Sequence, residues 1–483
     1  MSFMEMLDNL RETQWVEFKE ATFELPKDVW ESYSAMANTE GGEIILGVRE
    51  NSSGKFIIEG VLDSDKIISE FWNTVRNPEK INHDIMLFDG VYSATLNNKT
   101  VVIIKVPRSE RDKKPVSVYD RKSRKFIAWI RKGAGDYKAN EDDLRQMSYD
   151  SIPGADRKPL DRFDISSLCD ETIARYRSVF ASVKPNNPWN TDSKEDFLYH
   201  IGALAKGVGG NLHPTQAGLL AFGYEYEITN YLPQFLLDYR EELSENNRWD
   251  DRVVSQSGDW SGNLIDFYYL VTNRLLKHFR SPFSTDEKGM LHGSNNLITE
   301  SVNEVIVNAL VHAYYGASSS IRILLHKDNL FVYNPGTLLV DKDIAISGGF
   351  SEARNPTLMR IFSFIGASDR AGSGLSMVFK TWNEFFNSHP KIEEGHAPSQ
   401  VCFTLPIYEQ NNETQNKTLR PRATLNVQET LNLLYANPSG LTSNDISKLT
   451  GVPTRTIQRN LKKLYDEKKV SRIKQGHYFR YMI

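Results

Sequence analysis

Cysteine is almost absent. Cys169 and Cys402 stand alone among 483 residues, which excludes a disulfide framework and any zinc or redox motif built on paired cysteines. Long apolar runs are missing too, none approaching the roughly 20 residues that cross a bilayer. The opening stretch MSFMEMLDNLRETQ lacks the basic-then-apolar order of a secretory leader. These absences predict a soluble, cytoplasmic protein. What is present, 40% hydrophobic and 25% charged residues, can fill more than one core, and at roughly 100–200 residues per domain three or four domains are expected.

A large charge of either sign is also lacking, since the formal net charge is only -4. Its distribution is uneven. Residues 420–483 hold twelve Lys and Arg against four Asp and Glu, a surplus of eight, so the remaining 419 residues carry minus twelve. The stretch Lys105 to Lys138 has the same twelve against four. Two cationic surfaces on an otherwise acidic chain suggest phosphate contacts, the alternative for each being a solvated face.

Along the chain, residues 12–19 read as a short strand, and Pro26 to Ala37 as a helix with Val29, Trp30, Tyr33 and Met36 at helical spacing. GGEIILGV, Gly41 to Val48, reads as a buried strand, and alternating segments follow to residue 130. The expected organisation is α+β and multidomain, with a first domain over 1–152 and a mainly helical connector over 153–290 that includes a strand near Phe235–Asp238. An α/β domain over 291–408, a polar linker over 409–418 and a last domain over 419–483 complete it.

Three carboxylates mark the first domain. Glu12 and Glu17 flank the strand TQWV, and Glu50 closes GGEIILGVRE. Together with Glu17-Phe18-Lys19, Ala35–Asn38, Gly41–Gly42 and Gly47–Glu50, this pattern resembles the Schlafen AlbA-like family over about residues 10–150. In nuclease members of that family three acids hold a divalent metal and cut RNA, and the resemblance places them on Glu12, Glu17 and Glu50, with Lys19 beside the phosphate. Carboxylates suit Mg²⁺ or Mn²⁺, which position water and offset phosphate charge. Here Arg49-Glu50 stands where the family usually has Asp-Asp. The other reading of Glu17 and Lys19 is a salt-bridged pair in a module that binds nucleic acid without cutting it.

A second constellation lies further on. ESVNEVIVNALVHAYY puts Glu304 and Asn308 four residues apart, on one helical face. VYNPG with Asn334 and Gly336, ARNPTLMRIF, and DRAGSGLSMV with Gly372 and Gly374 follow in order. Glycines ahead of a helix offer backbone N–H groups to phosphates. Together these segments resemble the GHKL (Bergerat-type) ATPase domain, an α/β sandwich, of RecG-helicase-related regulators. That resemblance implies ATP as cofactor, Glu304 as base, Asn308 as Mg²⁺ ligand, Asn334 and Gly336 in the adenine-side loop, Gly372 and Gly374 in the phosphate lid, and pairing into a homodimer or larger assembly. Asn334 stands where most such domains have an Asp.

The basic tail reads as three helices, over 427–437, Ser443–Leu449 and Thr454–Asp466, followed by two strands around Gln475-Gly476. That order predicts a winged helix-turn-helix with Thr454, Arg455, Gln458 and Arg459 facing nucleic acid, the alternative being a protein-binding winged helix. The whole chain therefore reads as an ATP-responsive nuclease, RNA being the favoured substrate with tRNA a candidate within it, with a place in phage defence. The competing reading is an ATP-responsive, DNA-binding transcriptional regulator without catalysis.

Overall fold

The computed structural model describes residues 12–244, 247–279, 294–348, 352–368, 374–396 and 399–407, and most of 441–482 together with Thr430, Leu431 and Leu434. The chain divides into two units, Met1–Ile407 and Tyr408–Ile483.

The first unit opens with β1 (Val16–Lys19), α1 (Val29–Asn38), β2 (Gly42–Leu46), β3 (Val48–Glu50), β4 (Phe56–Ile58), α2 (Ser64–Val75), β5 (Val91–Leu96) and β6 (Lys99–Val106). β1 runs parallel to β2, and the sheet order is β1-β2-β6-β5. Val16, Glu17 and Phe18 are all buried, and Val102 and Ile104 belong to a different core from Val101 and Ile103. This sheet is covered on both faces, so its strands read as continuous apolar runs rather than alternating ones. A meander follows of β7 (Ser117–Asp120), β8 (Lys125–Lys132) and β9 (Gly135–Lys138), then α3 (Glu141–Asp150). Asn140 and Asp143 form a capping box at the start of α3, two orphan N–H groups satisfied reciprocally.

Next come α4 (Asp170–Val183), α5 (Lys194–Ile201), β10 (Leu204–Lys206), β11 (Leu212–Pro214), α6 (Gln216–Phe222), α7 (Glu225–Tyr231), β12 (Leu237–Glu242), β13 (Asp251–Val254) and α8 (Leu264–His278). The last stretch of this unit holds α9 (Ser294–His312), β14 (Ile321–His326), β15 (Asn329–Pro335), α10 (Lys342–Ser347), α11 (Pro356–Phe364), α12 (Gly374–Phe386), β16 (Lys391–His396) and β17 (Ser399–Pro406). A six-stranded sheet, β13-β12-β14-β15-β17-β16, joins the two stretches. The segment expected to be a mainly helical connector thus lends two strands to the α/β layer, and one hydrophobic core runs from Leu160 to Leu405. Burial explains this: β12 pairs parallel with β14, placing Leu237 and Tyr239, both fully buried, inside that core. No helix among the described residues is long and apolar enough to cross a membrane.

The second unit contains β18 (Leu441–Thr442), α13 (Ser443–Thr450), α14 (Thr454–Asp466), β19 (Ser471–Gln475) and β20 (Tyr478–Met482). Its sheet order is β18-β20-β19. Ile457, Leu461 and Leu464 form the buried stripe of α14 while Arg455, Gln458 and Arg459 are exposed on it and Thr454 is half-buried, the spacing of an amphipathic helix. Of the helix expected over 427–437 only Thr430, Leu431 and Leu434 lie among the described residues, and they are helical.

Candidate nucleotide site and the carboxylate pair

A cavity of ≈ 130 Å³ opens between α9 and the six-stranded sheet. Its walls include Glu304, Asn308, Asn334 and Gly374, four residues expected in one site and drawn from three separate segments of the chain. The Asn308 side chain donates to Glu304 Oε1 at 3.0 Å, so the amide nitrogen faces the carboxylate. Gly374, at the start of α12, lies against the same carboxylate: a Cβ there would sit 1.7 Å from Glu304 Oε1. Gly372 lies outside the described residues. Gly336 has φ +100° and a Cβ on it would meet Arg354 Nη1 at 2.9 Å, so glycine is required twice over, by conformation and by space.

Asn334 stands at the end of β15, opposite Val401 of β17. Its Oδ1 is buried with no hydrogen-bond partner among the described residues. An orphaned acceptor beside the apolar walls Val332, Leu338, Ile392, Val401 and Phe403 fits a flat, largely apolar ring that presents an N–H donor. The residues present therefore fit an adenine nucleotide: Asn334 is the polar group that would meet a ring, and Asn308 and Glu304 are those that would hold a cation. His312 also lines this cavity, and burial, with Arg354 second, pushes its imidazole down to about 4, keeping it neutral.

Two walls of the cavity are fastened to the N-terminal α+β region. Arg108 donates to Leu338 O, and Arg111 reaches Glu352 at 3.0 Å and the Asp150 carbonyl at 2.5 Å. Gln146 donates to the Thr337 hydroxyl at 2.8 Å. Arg354, fully buried, pairs with Asp150 at 2.6 and 3.0 Å and donates to Thr337 O at 2.8 Å. Lys114 lies in the same seam, its ammonium donating to Asn38 O at 2.7 Å, and burial pushes it down to about 7. Sequence reasoning quoted the Ala-Arg-Asn-Pro run but passed over Arg354, and it missed Arg108, Arg111 and Asp150. The available signal was an Arg in a run of otherwise helix-starting residues.

The N-terminal acids are placed differently from one another. Glu17 is buried and bound by Arg131 Nη2 at 2.8 Å and by Lys19 Nζ at 2.8 Å, while Lys19 also reaches Asp28 at 3.0 Å. Glu12 accepts from the Phe18 N–H at 3.2 Å, and its carboxyl is held above the usual range by burial first and by the charge of Glu17 second. Glu12, Glu17 and Lys19 therefore share one locality. Glu50 sits on the β3–β4 hairpin, exposed, with Oε1 3.7 Å from where a Cβ on Gly54 would be. Among the described residues no three acidic, His or Cys side chains are grouped closely enough to hold a metal. Arg131, unforeseen, is the hub: it also binds Asp136 at 2.6 Å, Gln14 O at 3.0 Å and Thr13 O at 2.8 Å. Asn38 of the Ala-x-Ala-Asn motif is structural, tying α1 to the meander through Val116 and Trp129.

An α+β module joined to a nucleotide-type pocket defines the class. Residues 12–140 match the family model of the Schlafen AlbA_2 domain. Residues 318–405 match the one described as "Putative ATP-dependent DNA helicase recG C-terminal", and residues 145–238 match a domain of unknown function. The chain carries a Schlafen AlbA_2 domain followed by a RecG C-terminal, ATPase-type domain. Among solved structures it is similar to the DIP2311 protein from Corynebacterium diphtheriae, at 16% identity and TM-score 0.40 over 97% of this chain and 95% of that one. It is also similar to the N-terminal domain of a RecG-related protein from Nitrosomonas europaea, at 21% identity and TM-score 0.21 over 28% of this chain and 90% of that one. No curated protein matches it.

Proposed function

We propose that this protein is an ATP-responsive nucleic-acid-binding protein in which nucleotide occupancy sets the grip of the AlbA-like domain. The observation that carries this reading is the seam itself: Leu338, Glu352 and Arg354 line the nucleotide cavity, and each is bonded to Arg108, Arg111 or Asp150 across it. A ligand that moves those walls has a direct path of hydrogen bonds to the nucleic-acid domain, and coupling of this kind is reciprocal. Within the pocket Asn334 would read the ring, Asn308 would offer an oxygen to Mg²⁺, and Glu304 would orient a water or take its proton. Bound Mg²⁺-ATP would supply the charge that repositions the pocket walls. In the second unit, the order of two helices and a β-hairpin with Arg455, Gln458 and Arg459 exposed supports a winged helix that recruits nucleic acid.

Calorimetry with Mg²⁺-ATP tests the site. Asn334→Ala should weaken binding roughly 5- to 150-fold, the equivalent of about 1–3 kcal/mol for a buried polar partner, and Asn308→Ala should weaken it only when Mg²⁺ is present. Wild-type protein that binds no ATP at millimolar nucleotide ends this reading.

A metal-dependent endoribonuclease is the second reading, and one observation favours it. Glu12 shares a locality with the buried Glu17, and burial first and the Glu17 charge second hold its carboxyl above the ordinary range, an arrangement to which a divalent cation would add favourable charge. It predicts cleavage of tRNA or single-stranded RNA that EDTA abolishes and that Glu12→Gln removes with no fall in Tm. Intact RNA on a denaturing gel under all metal and ATP conditions excludes it.

A further inference from the structure

The tip of the β7–β8 hairpin is Arg121-Lys122-Ser123-Arg124-Lys125, every residue of it exposed. The one acid at this end, Asp120, is turned inward to cap the turn: its carboxylate accepts from the Lys122 N–H at 3.1 Å and the Ser123 N–H at 3.0 Å. None of the four cations forms an ion pair with a described carboxylate, whereas Arg131 further along β8 is saturated by Glu17 and Asp136. Arg124 occupies the left-handed region, φ 55°, while its N–H closes the turn on Asp120 O at 2.8 Å. Glycine fits that conformation at lower cost, so an arginine there spends stability on a side chain that the fold does not use. Directly below the tip, Tyr119 and Phe126 face each other across the strands, ring centroids 5.5 Å apart, with 37% and 45% of their surfaces exposed.

We infer that the β7–β8 hairpin is a single-strand nucleic-acid clamp, its unpaired cations holding phosphates and the Tyr119–Phe126 pair taking an unstacked base. This deepens the nucleic-acid reading proposed above and rests on it. Charge complementarity selects a polyanion, and the adjoining exposed rings select one that offers flat π faces, which a single strand has and a duplex keeps stacked inside. The clamp accounts for part of the second basic stretch of the sequence: Arg108, Arg111, Lys114 and Arg131 are held in internal bonds, Lys105 and Lys113 pair with Glu43 and Glu110, and Arg121, Lys122, Arg124 and Lys125 gather at this turn.

Fluorescence anisotropy of labelled single-stranded and duplex oligonucleotides on the full chain, over a range of salt, tests it with two variants. Arg124→Gly keeps the turn conformation. A merely structural Arg124 predicts unchanged or raised Tm and unchanged binding; the clamp predicts weaker single-strand binding and a log K against log salt slope shallower by about 0.7. Phe126→Ala should weaken single-strand binding roughly 5- to 150-fold by loss of stacking with the slope preserved, and should leave duplex binding alone. Wild type that binds oligonucleotide while both variants match it overturns the clamp and spares the proposed function. Wild type that binds no oligonucleotide overturns both. Retention on anionic lipid vesicles that Arg124→Gly abolishes, with single-strand binding untouched, also overturns it by assigning the tip to a membrane surface.

Discussion

Single residues decide whether the nucleotide cavity exists. Gly374 has no room for a side chain, because any Cβ would overlap the Glu304 carboxylate, so Gly374→Ala must displace either Glu304 or the start of α12. ATP affinity should fall at least tenfold with the global Tm within a few degrees of wild type, and unaltered affinity would show that the glycine is not part of the site. Lys114 gives a pH signature. Its folded value of about 7 lies below that of an exposed lysine, so above pH 7 the unfolded chain holds a proton that the native one lacks, and stability rises with pH across that window. Groups around it pull both ways, Arg108 and Arg354 against Glu394 and Asp150. The stability of wild type relative to Lys114→Met should therefore climb between pH 7 and 10. Parallel urea-denaturation profiles across that range would contradict the assignment.

At the scale of elements, the seam between α3, α11 and the nucleotide loops carries the account. Arg354 and Asp150 are both almost wholly buried, and removing one partner of such a pair costs about 3–5 kcal/mol because the other is left charged and alone. Asp150→Ala should lower stability by that amount and uncouple ATP from nucleic-acid binding; a loss under 1 kcal/mol by chemical denaturation would mean the pair is not what joins the domains. The sequence pattern made the elements legible where a helical stripe or a glycine-flanked apolar run was long, as in α1, β2 and α9. Glu304, Asn308, Asn334 and Gly374 were legible through the family resemblance of their segments, which the fold brings to one cavity. Arg131 and Arg354 were not legible, since their partners Glu17 and Asp150 are 114 and 204 residues away. β12 and β13 were missed as parts of the sheet for a similar reason: the pairing of β12 with β14 spans the whole of α8 and α9.

For the molecule as a whole, the AlbA-like domain and the ATPase-type domain lie within one unit, which is what the proposed coupling of nucleotide to nucleic acid requires. The central claim is that coupling, and it is read most directly by the affinity of the full chain for a labelled single-stranded oligonucleotide with and without saturating Mg²⁺-ATP. The account predicts a change of roughly 5- to 150-fold, matched by an equal change in ATP affinity when oligonucleotide is present, and lost in Asn308→Ala. Identical oligonucleotide affinities in the two conditions, with calorimetry showing ATP bound, would contradict it.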